Sequence, residues 1–187
     1  MMNVISNAPG SPAPVFLDLD EVKAWLNVAA DDDDTLIQGL IDAAQRRYEG
    51  PSGVLGRTLL RQVWTGRIEE WPACTTSMDI PLPPLVSVDE VRVDGVAVAS
   101  STYTVFGANS DMIPAKIKPV SDWTGSEVEI DFTAGYESGS MPKSLKTALL
   151  QVIAGWYDNR AAQADRETHD NDQADKIMFG ETVEYIV

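Results

Sequence analysis

Residues 86–99 read VSVDEVRVDGVAVA. Val86, Val88, Val91 and Val93 recur on the short period of a β-strand, and Asp89-Glu90 interrupts that alternation as a bulge does. Asp94-Gly95 is the dipeptide that a two-residue hairpin turn favours, because both central positions need positive φ. An antiparallel hairpin therefore stands in the middle of the chain. Outward from it, short β-branched and aromatic runs separated by Pro, Gly, Asn and Asp continue from about Arg57 to Tyr136. They predict strands over 60–68, 78–80, 86–93, 96–99, 103–106, 113–117 and 127–133.

Beyond both ends of that region the apolar period lengthens to three or four residues. On the N-terminal side, Leu19, Val22 and Leu26 share one face of a helix that Asp18 or Asp20 can cap, with Trp25 extending the face. Asp31, Asp32, Asp33 and Asp34 then supply an N-cap and negative charge where a helix macrodipole favours it. The second helix has Ile37, Ile41, Ala44 and Tyr48 along one stripe, widened by Leu36 and Leu40, while Gln45, Arg46 and Glu49 fall outside; Gly50-Pro51-Ser52-Gly53 stops it. On the C-terminal side Pro142 starts a helix with Leu145, Ala148, Leu149, Val152, Ile153 and Trp156 at helical spacing, running to about Ala164.

The expected class is α+β. A small bundle of three main helices, residues 16–56 and 137–164, has an antiparallel β subdomain inserted at 57–136. The expected helical core contains Leu26, Ile37, Ile41, Leu145, Leu149, Val152 and Trp156. Residues 1–15, with Pro9, Pro12 and Pro14, read as a flexible N-terminal arm. Residues 165–187 read as a charged spacer followed by a tail in which apolar residues return, the kind of surface that awaits a groove to fill.

A chain of 187 residues suffices for one compact core or a core with a subdomain, and 44% hydrophobic with 23% charged residues is globular composition. Lys and Arg total 14 against 29 Asp and Glu, a formal charge of -15, which opposes nonspecific binding to a polyanion but suits a wall past which DNA slides. Cys74 and His169 are the only residues of their kinds, which removes internal disulfides and Cys/His zinc sites and fits folding in a reducing cytoplasm. The N-terminus lacks the pattern of a signal peptide, and no stretch approaches the roughly 18 apolar residues of a membrane span.

The residues that chemistry would need are thinly spread. The four aspartates at 31–34 lack the alternating ligand spacing and closing Glu of a calcium loop. Glu69-Glu70 and Asp89-Glu90 are adjacent carboxylates whose use as an acid-base pair depends on convergence in a cleft. The glycine-rich stretch from Gly50 to Arg57 trails a helix and has no Lys-Ser/Thr pair, so it reads as a turn and not a phosphate loop. His169 stands in a charged stretch where a general base would not be held in place. Trp25, Trp64, Trp71, Trp123 and Trp156 have no basic patch beside them and read as core or subunit contacts. No cofactor or metal is expected.

In their order along the chain these pieces resemble the tailed-phage head-tail connector (adaptor) family, in its long form with a β insertion, whose members are also described as phage DNA-packaging proteins and include adaptors of gene transfer agents. The resemblance rests on Leu19-Asp20-Glu21-Val22-Lys23-Ala24-Trp25-Leu26, the acidic run, Glu49-Gly50-Pro51, Gly56-Arg57-Thr58-Leu59 and Trp64. It continues through Ile80-Pro81-Leu82-Pro83-Pro84-Leu85-Val86-Ser87-Val88, Phe132-Thr133-Ala134-Gly135-Tyr136, Met141-Pro142 and Trp156-Tyr157-Asp158-Asn159-Arg160. It implies a structural virion protein of the neck between capsid and tail, assembled as a twelve-membered ring that meets the portal protein on one side and the next tail component on the other, with DNA passing through. It also implies that the tail docks on the portal, through Ile177, Met178, Phe179, Val183, Tyr185, Ile186 and Val187, although Met178 stands where the family has a proline. The rival readings are a small carboxylate-dependent hydrolase using Glu69, Glu70, Asp89 or Glu90, and a monomeric packaging accessory protein.

Overall fold

The computed structural model describes residues 2–7, 16–72 and 76–159. In chain order they form β1 (Asn3–Asn7), α1 (Leu19–Leu26), α2 (Asp34–Tyr48), β2 (Gln62–Ile68), β3 (Met78–Ile80), β4 (Leu85–Val93), β5 (Val96–Ala97), β6 (Tyr103–Phe106), β7 (Ala115–Pro119), β8 (Val128–Ala134) and α3 (Lys143–Asp158). The architecture is α+β, three helices with two antiparallel sheets, of order β1-β2-β8-β4-β5 and β3-β7-β6.

Alternation builds the larger sheet. Along β2 and β8 every second residue is buried, so Trp64, Ile68, Val128, Ile130 and Phe132 share one face. Ile80, Ala115 and Ile117 of the smaller sheet join the same cluster, so both sheets close over one β core. The β4–β5 connection turns through Asp94 (φ 50) and Gly95 (φ 78), as the dipeptide foretold. The interruption at Asp89-Glu90 is a bulge, since Val88 faces Phe132 and Glu90 faces the next residue, Asp131; Val86 is likewise skipped between Leu85 and Ser87.

The helices bury a second cluster. Val22, Ile37, Ile41, Ala44, Leu145, Ala148, Leu149, Val152 and Ile153 meet there, and the links between sheet and helices add Leu55, Leu59, Leu60 and Tyr136. At about 25 cal/mol per Å² of apolar surface removed from water, each fully buried aliphatic side chain contributes about 1.5–3 kcal/mol.

Several expectations require correction. Residues 3–7 are not part of a flexible arm; they form β1, antiparallel to β2. The prolines that break regular structure begin only at Pro9, so the preceding segment is free to pair with the open edge of β2. Trp25 and Leu36 were expected on apolar faces but are 47% and 38% exposed, because the packed stripe of each helix runs through Val22 and through Ile37, Ile41 and Ala44 and does not extend to these flanking positions. The aspartates cap no helix through their side chains: Asp18 and Asp33 occupy N-cap positions without such a bond. Helix α3 spans Lys143–Asp158, and the stretch expected to carry it to residue 164 lies outside the described residues.

Candidate functional site

Two cores in one chain need a joint: the chain passes between them at Glu49–Leu60 and Ala134–Tyr136, and Pro83-Pro84, between the β-core residues Leu82 and Leu85, is hydrogen-bonded to both crossings. Glu49 follows the last residue of α2 and pairs with Arg57 in an isolated parallel bridge; Leu60 pairs with Tyr136 in another. The Glu49 carboxylate gathers the turn around itself. Its Oε1 accepts from the backbone N–H of Leu59 (3.0 Å) and Leu60 (3.4 Å) and from Gln62 Nε2 (2.6 Å), while its Oε2 accepts from Gln45 Nε2 (2.7 Å). Burial pushes the Glu49 carboxyl above the usual glutamate range, and these four donors pull in the opposite direction.

Arg57 is fully buried beside it, and its guanidinium donates to the Tyr136 hydroxyl (3.2 Å) and the Met112 sulfur (2.8 Å). Backbone bonds complete the joint: Thr58 N–H to Pro83 O, Gly135 N–H to Pro84 O and Arg61 N–H to Tyr136 O. The motifs quoted separately from the sequence as Glu49-Gly50-Pro51, Gly56-Arg57-Thr58-Leu59, Pro83-Pro84 and Gly135-Tyr136 thus meet in one place. Such an arrangement holds a helical unit and a β unit in register.

Away from the joint, charge is organised on two surfaces. On the outward side of the larger sheet Arg92 sits among Glu90, Glu129 (3.2 Å) and Asp131 (2.9 Å), Arg67 pairs with Glu127 (2.8 Å), and Thr133 donates to Asp89 (2.6 Å). Five carboxylates and two guanidiniums leave that face acidic, and Glu129 foremost holds the Arg92 guanidinium above its ordinary value. At the helical end, Lys23 Nζ bridges Asp31 (2.7 Å) and Asp34 (2.6 Å), while the Tyr157 hydroxyl donates to Asp33. The acidic run is therefore a clasp tying α1, α2 and α3 together. Lys23 is raised chiefly by its bond to Asp31 and Asp31 is lowered by Lys23.

The carboxylates considered for catalysis do not converge. Glu69 and Glu70 follow Ile68, which faces Val128, whereas Glu90 faces Asp131, three residues or about 10 Å along β8. Among the described residues no group of three or more His, Cys, Asp or Glu is placed to hold a metal ion, and no helix is long and apolar enough to cross a membrane. Of the expected core residues, Ile37, Ile41, Leu145, Leu149 and Val152 are buried, and Leu26 and Trp156 pack half-buried against the cluster. Trp64, Trp71 and Trp123 are buried in the β core, Trp71 and Trp123 edge to face at 5.3 Å. Ile177, Met178, Phe179, Val183, Tyr185, Ile186 and Val187, together with Cys74 and His169, lie outside the described residues. Glu49 and Arg57 were missed as working residues; the signal present was their place in the family-like motifs.

Comparison with known proteins follows the same lines. Residues 16–67 match the family model described as phage gp6-like head-tail connector protein. No curated protein matches the chain. Among solved structures, a chain from the neck of an empty gene transfer agent particle, computed with sixfold symmetry, superposes with a TM-score of 0.75 at 18% identity, covering 100% of this chain and 97% of that one. Chains from the virion of the native gene transfer agent particle (TM-score 0.67, 18% identity) and from its neck computed with twelvefold symmetry (0.64, 17%) match with the same coverage. The resemblance read from the sequence holds. Over residues 16–67 the chain matches the head-tail connector family, and over its whole length it has the fold of those particle chains.

Proposed function

We propose that the chain is a structural connector of a phage-type particle and not an enzyme, with copies arranged as a ring of twelve between the portal and the next tail component and with DNA passing through the lumen. The observation that carries this reading is the full-length fold match to a neck chain, together with the connector match over residues 16–67. The symmetries under which the similar neck particles were computed, sixfold and twelvefold, favour a ring of twelve.

The physical argument runs parallel. A ring closes through a heterologous interface, which needs two dissimilar flanks, and a helical unit rigidly joined to a β unit supplies them. Contacts too weak singly become firm when every copy engages at once. In this reading the helical unit (16–56 and 137–164) carries the tail, residues 57–136 face the tail side, and Ile177, Met178, Phe179, Val183, Tyr185, Ile186 and Val187 dock onto the portal. The acidic outward face of the larger sheet is suited to a lumen wall, where carboxylates repel phosphates and keep DNA from sticking. Assembly takes place in the host cytoplasm and the finished protein resides in the virion neck.

The test is deletion of residues 177–187 followed by a count of assembled particles. Filled heads without tails are expected. Tails joined at normal yield would overturn the docking role, and micrographs of necks without a ring of this protein would overturn the connector reading itself.

A further inference from the structure

Two large apolar side chains of the helical unit stay in water although a packed core lies beside them. Trp25 of α1 and Leu36 of α2 are the pair already found outside the buried stripes. On α1, Asp18, Glu21 and Trp25 follow one another at i, i+3 and i+7, so the tryptophan shares its flank with two exposed carboxylates. On α2, Leu36, Leu40, Ala43 and Arg47 follow at i, i+4, i+7 and i+11, an apolar strip that ends in a guanidinium. Gly39 borders the strip, and a β-carbon there would meet nothing within 4 Å, so that side of the helix is open. One flank is an aromatic knob with acidic neighbours, and the other is an apolar seat with a basic end.

Ion pairs within the bundle place the two flanks apart. Lys23 reaches Asp31 and Asp34 at the start of α2, whereas Glu21 reaches Lys146 of α3. Trp25 shares the Glu21 flank and therefore borders α3. On α2, Asp34 marks the side that meets α1, and the Leu36 strip lies across the buried stripe of Ile37, Ile41 and Ala44 from it. Knob and seat thus look out from different sides of the bundle, and one chain cannot bring them together. Asp18 makes no side-chain bond at its N-cap position. Arg47 lies 5.8 Å from the Tyr48 ring centroid and, among the described residues, forms no ion pair. In a chain with 14 basic residues against 29 acidic ones, such an arginine is open to a carboxylate from outside.

We propose that neighbouring copies in the ring meet through these flanks, with Trp25 of one copy lying over the open side of Gly39 in the next and Asp18 reaching that copy's Arg47. The inference rests on the ring reading above. The spacings agree: at about 1.5 Å of rise per residue, the seven residues from Asp18 to Trp25 span about 10.5 Å and the eight from Gly39 to Arg47 about 12 Å. The two helices then run antiparallel. A contact between unlike surfaces is the kind that closes by rotation, and each copy offers one knob and one seat, so a closed ring leaves none over. Tryptophan and arginine are the residues concentrated where interfaces are strongest, and opposite charge fixes which flank meets which.

Charge reversal in the full-length protein tests the pairing. Trp25→Ala, Gly39→Lys, Arg47→Glu, Asp18→Lys and the double variant Asp18→Lys with Arg47→Glu are compared for mass in solution over a concentration series and for the share of filled heads that carry tails. All four positions lie outside the core, so thermal melts serve as the check on folding. Each single variant should weaken the contact, Trp25→Ala by about thirtyfold, the loss expected for an anchoring tryptophan. The double variant should recover assembly, because the reversed charges face each other across the interface. If the single variants assemble as the natural chain does, these flanks are overturned as the contact and the ring stands. If the single variants fail and the double variant does not recover, the flanks are covered by something other than a second copy, the portal or the chain's own residues 160–187, and the proposal falls. Necks without a ring of this protein would remove the ring reading and this inference together.

Discussion

The α-carbon of Gly135 lies so close to the backbone of Leu60 that a β-carbon there would meet the Leu60 carbonyl oxygen at 2.4 Å and its carbonyl carbon at 2.5 Å. Gly135 also has φ +104, a conformation that L side chains rarely adopt. The obstacle is backbone held by the Leu60–Tyr136 bridge, so it has no flexible end to move aside. Gly135→Ala should lower the unfolding free energy by about 3 kcal/mol or more, since strained φ alone costs about 1–3 kcal/mol and the clash adds to it. Gly125 (φ +78) has nothing within 4 Å of its would-be β-carbon and serves as the control, with Gly125→Ala costing about 1–2 kcal/mol. Urea denaturation of the two variants decides; equal losses would show that the joint tolerates the added carbon.

Glu49 gives the joint a dependence on pH. Glu49→Ala leaves two backbone N–H groups and the Gln62 amide without their acceptor, a cost of about 3 kcal/mol. Glu49→Gln keeps an acceptor for those three and asks only Gln45 to reverse its amide, so about 1 kcal/mol or less is expected. The folded carboxyl binds its proton more readily than the unfolded one, because burial raises it. Its contribution is therefore fully present below the ordinary glutamate range and is lost as pH rises through the raised value. Relative to Glu49→Gln, the natural chain should gain stability between neutral pH and about pH 4. A difference in urea midpoint that stays constant across that interval would contradict the assignment.

How much of this was legible in the sequence depends on whether the deciding neighbours are local. The Asp94-Gly95 turn, the 103–106 strand and the third helix were readable because their signals, a dipeptide and a period, are contained in the segments themselves. Leu60 and Tyr136 stand in β-like sequence yet belong to the helical core, since a bridge between residues far apart in the chain turns them there. The role of Glu49 depends on backbone donors ten and eleven residues onward, which no helical period records. Trp25 shared an apolar spacing with buried neighbours, but spacing does not say how wide a face the partners cover. β1 went unread because five residues beside a proline-rich stretch carry too little pattern, and only the waiting edge of β2 makes them a strand.

Arg92 sets the balance on the acidic face of the larger sheet. Its guanidinium stands among Glu90, Glu129 and Asp131, and its removal leaves like charges close together with nothing between them. These side chains are about a quarter to a half exposed, so solvent screening keeps the loss for Arg92→Ala to about 1 kcal/mol at low ionic strength. Salt should then stabilise the variant relative to the natural chain, because screening relieves repulsion in one and weakens attraction in the other. Thermal melts at low and high salt test this; a gap that widens with added salt would contradict it.

Gly66→Ala separates the hold on the N-terminal strand from the stability of the sheet. The added carbon meets the Met2 sulfur at 2.4 Å and its Cγ at 3.0 Å, the far end of a flexible side chain, whereas the nearest sheet atom, on Phe132, is at a comfortable 3.6 Å. Met2 should yield and the β2–β8 pairing should persist, with alanine in place of glycine if anything favouring the strand. Hydrogen exchange is then expected to quicken at residues 2–7 while amides of β8 keep their protection, and overall stability should fall by about 1–2 kcal/mol, the loss of one buried methionine contact. If exchange quickened equally in β8, Gly66 would be serving the whole sheet and not the seat of Met2. If residues 2–7 kept full protection, the notch would not be what holds the strand.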